Sequence, residues 1–263
     1  MKATTFLVWG AGLLAGACTG SEGPARQQVS AAPLSTAVRV DSMRYVDAAR
    51  SRPIPVVTYA PAARGAAKPT PGASLKVALL NHGYGERNTA YSFLARNLVA
   101  HGYFVVSLQH ELPGDAPIAT TGNLAEARRP SWEQGVKSMV FVLQQLRQAH
   151  PEFDYRRTLL VGHSHGGDMV MLCAREHPDL AWRVISLDNR RMPLPRVRRP
   201  RLLSLRSSDQ RADDGVLPTL VEQTKYRIRI VQLTTTRHND MWDGATAEQK
   251  REMNTVISRF IAE

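Results

Sequence analysis

The chain has 263 residues, 43% of them apolar and 22% charged, and 34 Lys and Arg against 23 Asp and Glu leave a formal net charge of +11. That balance excludes a disordered chain, and with two cysteines and no G-X-Y period it excludes disulfide-scaffold and collagen-like proteins. The positive surplus admits four explanations: nucleic acid, a membrane surface, an anionic substrate or a solvated face.

In chain order, the first segment reads as an address and not as part of a fold. Met1 and Lys2 open a positive stretch, residues 6–14 form a short apolar run, and Ala15, Gly16 and Ala17 lead to Cys18. The run is too short to span a bilayer as a mature helix, so residues 1–18 are expected to be an export signal. Leu14-Ala15-Gly16-Ala17-Cys18 resembles a bacterial lipoprotein signal, with its Leu one place early. The resemblance implies lipidation at Cys18 and a place in the cell envelope, anchored at the outer membrane or free in the periplasm. Ordinary secretory cleavage and an uncleaved segment are the alternatives. Residues 19–37, rich in Ser, Ala, Gly, Gln and Pro, read as a flexible linker. Cys173 is expected to be a small buried apolar residue on a helix.

From residue 38 to 263 short apolar runs alternate with longer amphipathic segments, the βα pattern of a mostly parallel sheet covered by helices. Strands are expected at Val38–Tyr45, Pro55–Tyr59, Lys76–Leu80, Phe104–Leu108, Thr158–Val161, Val184–Leu187, Leu202–Leu205 and Ile228–Leu233, with Pro61–Ala73 as a surface loop. Trp132, Val136, Met139, Val140, Leu143 and Leu146 recur at helical spacing in Ser131–Ala149. A last helix starts near Ala247 behind a Thr246/Gln249 capping box. Gln109–Pro130 and Asp188–Arg201 read as irregular, and long loops in a compact domain are often functional.

The strongest chemical signal is Gly162-His163-Ser164-His165-Gly166, which follows an apolar strand and leads into a helical segment, Asp168–Glu176. A serine at a sharp strand-to-helix turn stands exposed above the sheet edge, and flanking glycines let the chain pass without a clash. A neutral serine hydroxyl needs a base, and the base needs an orienting acid. His238 follows the last expected strand and is the only histidine after His177, which makes it the candidate base. Asp209, just past the strand Leu202–Leu205, is the candidate acid; Asp213 and Asp214 in its loop and Asp188 after the preceding strand are alternatives. A developing oxyanion needs backbone N–H donors. His165 is one candidate, and Tyr84, in the turn His82-Gly83-Tyr84-Gly85 after a strand, is the other. The Tyr84 ring and Trp242 are expected beside the substrate. His82, His163 and His165 carry no metal-ligand spacing, so no metal and no cofactor are expected.

H-G-x-G, G-x-S-x-G, Asp and His on alternating βα units resemble the α/β-hydrolase superfamily. The stretch Asp47 to Val56 with Tyr59 and Pro61 is similar to bacterial proteins of the dienelactone-hydrolase-like and platelet-activating-factor-acetylhydrolase-like subgroup, although Ser164 stands where dienelactone hydrolases have cysteine. The resemblance implies a three-layer α/β fold with an eight-stranded, mostly parallel sheet. The dozen or so residues from Asp188 to Arg201 leave no room for a large lid domain. It also implies a serine carboxylester hydrolase acting through an acyl-enzyme on a small-molecule ester. An acyltransferase or peptidase using the same triad, or a non-catalytic envelope lipoprotein on this fold, are the alternatives. No nucleic-acid module is recognisable. The positive charge is densest at Arg183, Arg190, Arg191, Arg196, Arg198, Arg199, Arg201, Arg206 and Arg211. A solvated basic face is the first reading of that cluster; contact with anionic lipids and steering of an anionic substrate are the others.

Overall fold

The computed structural model describes residues 37–62 and 74–263. The expected signal and Cys18, the linker up to residue 36 and most of the 61–73 loop lie outside the described residues.

Eight strands form one sheet: β1 (Val38–Asp47), β2 (Arg52–Pro61), β3 (Lys76–Asn81), β4 (Tyr103–Leu108), β5 (Asp154–His163), β6 (Arg183–Leu187), β7 (Arg201–Arg206) and β8 (Arg229–Gln232). Their order is β1-β2-β4-β3-β5-β6-β7-β8. β1 and β2 run antiparallel, as do β2 and β4; the remaining pairs are parallel. All eight expected strands are present, and β2 and β5 begin three and four residues earlier than the apolar runs suggest.

Strand side chains alternate between two faces, so each central strand feeds two cores. In β3, Val77 and Leu79 join Val106, Leu160 and Val184 under α2 (Leu124–Ala149) and α3 (Ser164–Glu176). Ala78 and Leu80 join Val105, Val161, Ile185 and Leu203 under α1 (Ser92–Ala100) and α5 (Ala247–Ala262). A short α4 (Leu220–Tyr226) precedes β8. Helices cover both faces of the sheet, giving three layers. Only thirteen residues, 188–200, connect β6 to β7, so no lid domain is inserted there.

α2 begins at Leu124, seven residues before the expected start, and runs through Pro130. Proline removes one backbone hydrogen bond from a helix interior and usually ends it. Here Asn123 caps the first turn by accepting the Glu126 N–H, and Arg128 Nε donates to the Ala119 carbonyl at 2.8 Å. Arg129 pairs with Glu133 and with Glu176 of α3. These tertiary ties hold the turn that local propensity disfavours. α5 follows its capping box, with Met253, Ile257, Phe260 and Ile261 buried.

Candidate active site

Ser164 is the first residue of α3, directly after β5, and its φ is +50°. A non-glycine residue in the left-handed region is strained, and such strain persists only where the surroundings impose it. The surroundings here are backbone. A Cβ on Gly162 would lie far inside contact distance of the Gly166 carbonyl, and one on Gly166 would meet the carbonyls of Asn81 and His82. The two glycines let the elbow nest against the end of β3.

His238 opens a short 3₁₀ turn after β8. Its Nε2 lies 2.9 Å from Ser164 Oγ, and its Nδ1 lies 2.6 Å from Asp188 Oδ2. A carboxylate oxygen only accepts, so Nδ1–H donates to Asp188 and Nε2 is left to accept the Ser164 hydroxyl proton.

The carboxylate on the His238 ring is therefore Asp188, and not Asp209. Asp209 Oδ1 instead accepts the backbone N–H of His238 at 2.7 Å. The reason lies in the sheet. β5 and β6 are neighbours, and His163 pairs with Leu187 in register. The next residues, Ser164 and Asp188, leave adjacent strands at the same height, each with positive φ (+50° and +54°). Asp209 sits three residues beyond the end of β7, one strand further away, and reaches the histidine turn through the His238 backbone N–H and, at 3.9 Å, Arg237 Nε, but not the His238 ring. Asp213 and Asp214 make no hydrogen bond to the His238 ring.

Asp188 is fully buried. Ser207 donates to it from N (3.1 Å) and Oγ (2.7 Å), and the Arg206 guanidinium lies 2.8 Å away. Burial pushes its carboxyl up, but the bonds from His238 and Ser207 and the charge of Arg206 outweigh that and hold it below the usual carboxylate value.

Four buried histidines surround this core. His163 donates from Nε2 to the His238 carbonyl (3.1 Å), and its Nδ1 accepts from Tyr91 Oη (2.7 Å), which itself accepts the Gly83 N–H (3.0 Å). One ring thus ties the histidine turn to α1 and to the glycine turn after β3. His165 accepts from Trp132 Nε1 at 3.0 Å and meets Ser131 Oγ at 2.9 Å. His82 accepts the His110 N–H at 2.9 Å, and its other nitrogen faces the Gly83 carbonyl at 2.8 Å. Burial first, then neighbouring charge, holds His163 and His165 down to about 3; burial lowers His82 to about 4 and His110 well below the ordinary value. With both ring nitrogens engaged by protein, His82, His163 and His165 are built as neutral structural links. Among the described residues no group of three or more His, Cys, Asp or Glu is placed to hold a metal.

Of the two expected oxyanion donors, His165 lies in the first turn of α3, where backbone N–H groups have no intrahelical partner. Tyr84 lies between Gly83 and Gly85 (φ +79°), and Gly85 N–H donates to Glu111 Oε2 at 3.3 Å. The Tyr84 ring stands edge-on to the His165 ring at 6.0 Å and is 42% exposed. The structure thus brings Tyr84 and His165 together. Trp242, 36% exposed, packs its ring against Gly244, and no hydrogen bond or aromatic contact links it to the Ser164–His238–Asp188 set. Cys173 is a buried free thiol, pushed up to about 12 by burial, and is inert at neutral pH.

Beside the glycine turn lies a cavity of about 250 Å³ lined by residues that include Arg52, His110, Glu111, Asp115, Ser131 and Gln134. Tyr91 carries no sequence signal of its own; Arg206 is marked only as part of the basic cluster and Ser131 and Trp132 only as part of a helix, and packing brings them to the site.

A family model described as serine aminopeptidase, S33, matches residues 72–187, which run from the approach to β3 through the end of β6. No match was found among curated proteins. Among solved structures, the chain is similar to a dienelactone hydrolase-like promiscuous phosphotriesterase from metagenomic libraries, at 13% identity and a TM-score of 0.64 over 86% of this chain and 98% of that one. It is similar to a ferulic acid esterase from Streptomyces cinnamoneus at 21% identity and a TM-score of 0.53, over 77% and 74%. It is also similar to an S-formylglutathione hydrolase from Staphylococcus aureus at 12% identity and a TM-score of 0.58, over 86% and 99%. Strand order, elbow and these likenesses agree: the chain has the α/β-hydrolase fold.

Proposed function

We propose that the protein is a serine hydrolase of carboxylic esters, with Ser164 as nucleophile, His238 as general base and Asp188 as the orienting acid. One observation carries the reading: an unbroken line from a strained Ser164 Oγ to His238 Nε2 (2.9 Å) and from His238 Nδ1 to a buried carboxylate (2.6 Å). His238 takes the Ser164 proton as Oγ attacks the ester carbonyl. The N–H groups of His165 and Tyr84 stabilise the oxyanion. The tetrahedral adduct collapses as His238 returns the proton to the leaving alcohol, and water then hydrolyses the acyl-enzyme through the same base. Asp188 holds the imidazole in the required tautomer throughout.

The description of the matching family model favours a second reading, an aminopeptidase using the same triad. A panel of p-nitrophenyl esters of increasing acyl length, run beside aminoacyl p-nitroanilides and the Ser164→Ala variant, separates the two. Ester turnover that the alanine variant lacks supports the first reading, and anilide turnover without ester turnover supports the second. Failure of a fluorophosphonate probe to label Ser164 overturns both. The sequence of residues 1–18 supports, as part of the same proposal, export to the cell envelope with a lipid on Cys18, testable by metabolic labelling with a fatty-acid analogue and loss of label in Cys18→Ser.

A further inference from the structure

Most arginines of the described residues that approach a carboxylate do so away from the site: Arg129 meets Glu133 and Glu176, Arg196 meets Glu222, and Arg201 and Arg229 both meet Glu263. Arg128, Arg190 and Arg191 behave differently. All three are half-buried, and none has a carboxylate within ion-pair distance among the described residues.

These three converge on one place. Arg190 and Arg191 follow Asp188 by two and three residues. The Arg191 backbone N–H donates to Asp168 Oδ1 at 3.0 Å, one turn of α3 beyond Ser164. Arg128 stands one turn before Ser131, whose Oγ lies 2.9 Å from the His165 ring. Its Nε donates to the Ala119 carbonyl, and the preceding residue, Ile118, donates its N–H to Tyr84 Oη at 3.4 Å. Both groups of arginines thus flank His165 and Tyr84.

The protein supplies them with weak partners. Arg190 donates to Gln210 Oε1 and the Arg211 carbonyl, and Arg191 Nε is buried with no hydrogen-bond partner. The one carboxylate buried in their midst, Asp168, is already taken by the N–H groups of Arg191 and Met192 and by Asn189. Burial, and then the charge of Arg191, lower the Arg128 guanidinium from its ordinary value; Asp168 opposes them and Arg190 adds a smaller push down. Like charges held together in a partly desolvated rim repel, and an anion placed among them relieves the repulsion.

We propose that the substrate is an ester carrying an anionic group close to the scissile carbonyl, and that Arg128, Arg190 and Arg191 receive that group. This rests on the reading of Ser164 as the nucleophile. The Arg52–Asp115 pair and Glu111 line the cavity beside the glycine turn and leave it without a net positive charge, so the anion sits at the arginine rim and not there.

The test compares kcat/KM of the full chain for matched esters. In one arm, p-nitrophenyl hemisuccinate is set against p-nitrophenyl pentanoate, which puts the anion on the acyl side. In the other, 3-carboxy-4-nitrophenyl acetate is set against p-nitrophenyl acetate, which puts it on the leaving group. Acetylthiocholine serves as the cationic control. At low ionic strength the anionic ester of at least one arm is expected to be preferred by about tenfold or more, with the cationic ester slowest. The preference is expected to shrink toward unity in about 1 M salt, where screening acts over roughly 3 Å. The anionic-to-neutral ratio is also expected to fall by about threefold or more in Arg128→Gln and in Arg191→Gln, since each removes one unit of charge from the rim. The salt series uses the wild type alone and decides the matter even where a variant folds poorly. A ratio near unity, or one that salt does not change, overturns the proposal. If Ser164 labels with a fluorophosphonate and neutral esters turn over without anionic preference, the anion proposal falls and the hydrolase reading stands. If neither occurs, both fall.

Discussion

Asp188 and Arg206 form a buried ion pair directly behind the His238 ring, with 2.8 Å between carboxylate oxygen and guanidinium nitrogen. Asp188 follows the last residue of β6 and Arg206 ends the adjacent β7: Leu187 pairs with Leu205, so the two emerge at the same height. The guanidinium also donates to the Asn189 carbonyl at 2.7 Å and so pins the loop that leads to Arg190 and Arg191. Together with the hydrogen bond from His238, which lowers it most, and those from Ser207, the pair keeps Asp188 ionised in a place where burial alone would favour its neutral form.

The two aspartates near His238 separate by substitution. Asp188→Asn removes the acceptor that sets the His238 tautomer, and kcat for ester hydrolysis is expected to drop by about a thousandfold or more. Asp209→Asn keeps an oxygen where the His238 N–H donates, and the loss is expected to stay under about tenfold. Steady-state kinetics on the two variants check this, and equal losses contradict the assignment.

Removing Arg206 leaves a buried carboxylate with only hydrogen bonds to compensate it. Breaking one side of a buried ion pair costs about 3–5 kcal/mol, so Arg206→Met is expected to lower the unfolding free energy by that order. Urea denaturation followed by tryptophan fluorescence measures it. A change within about 0.5 kcal/mol, the range of an ordinary surface substitution, means that the pair is not stabilising.

Gly166→Ala pushes a methyl group into the Asn81 and His82 carbonyls. Backbone at both sides of the clash has no soft rotamer to yield, and a loss of about 4 kcal/mol or more, or failure to fold, is expected. Expression yield and thermal unfolding report it. Gly85→Ala is the contrast: its φ is +79° but its surroundings are open, so the cost is conformational only, about 1–2 kcal/mol.

Acid should loosen the fold through its histidines. His82, His110, His163 and His165 have folded values depressed below the ordinary 6.5. The unfolded chain therefore binds protons that the fold refuses, and their contribution is complete above pH 6.5 and declines as pH falls toward 4 and 3. Each adds a slope of up to about 1.4 kcal/mol per pH unit in that window. Glu111, raised to about 7 by burial, and Asp168, also raised by burial, oppose them, because both favour the fold at lower pH. Two carboxyls against these four histidines, with His101 lowered by burial as well, leave the sign unchanged. A clear fall in Tm between pH 6.5 and 5 is expected, and a flat profile contradicts the buried-neutral assignment.

Much of this protein is legible in one dimension. Ser164 stands out because strand, glycines and helix follow one another along the chain, and His238 because no other histidine follows His177. Unbroken apolar runs reveal buried strands, and Thr246 with Gln249 reveals a helix start, since these signals act between residues close in sequence. The acid was not legible in that way. Asp188 and Asp209 both follow apolar strands, and the distinction between them is that β6, and not β7, lies beside β5 with His163 and Leu187 in register. Strand order and register are settled by packing across the whole sheet, so the tertiary structure alone places Asp188 on the His238 ring. The same holds for α2, which tertiary ties carry through Pro130, and for Arg128, Arg190 and Arg191. In the sequence Arg190 and Arg191 stand out only as part of a basic cluster and Arg128 not at all; in the fold Ser131, one turn after Arg128, bonds to the His165 ring and the Arg191 N–H bonds to Asp168, which brings both segments to the start of α3.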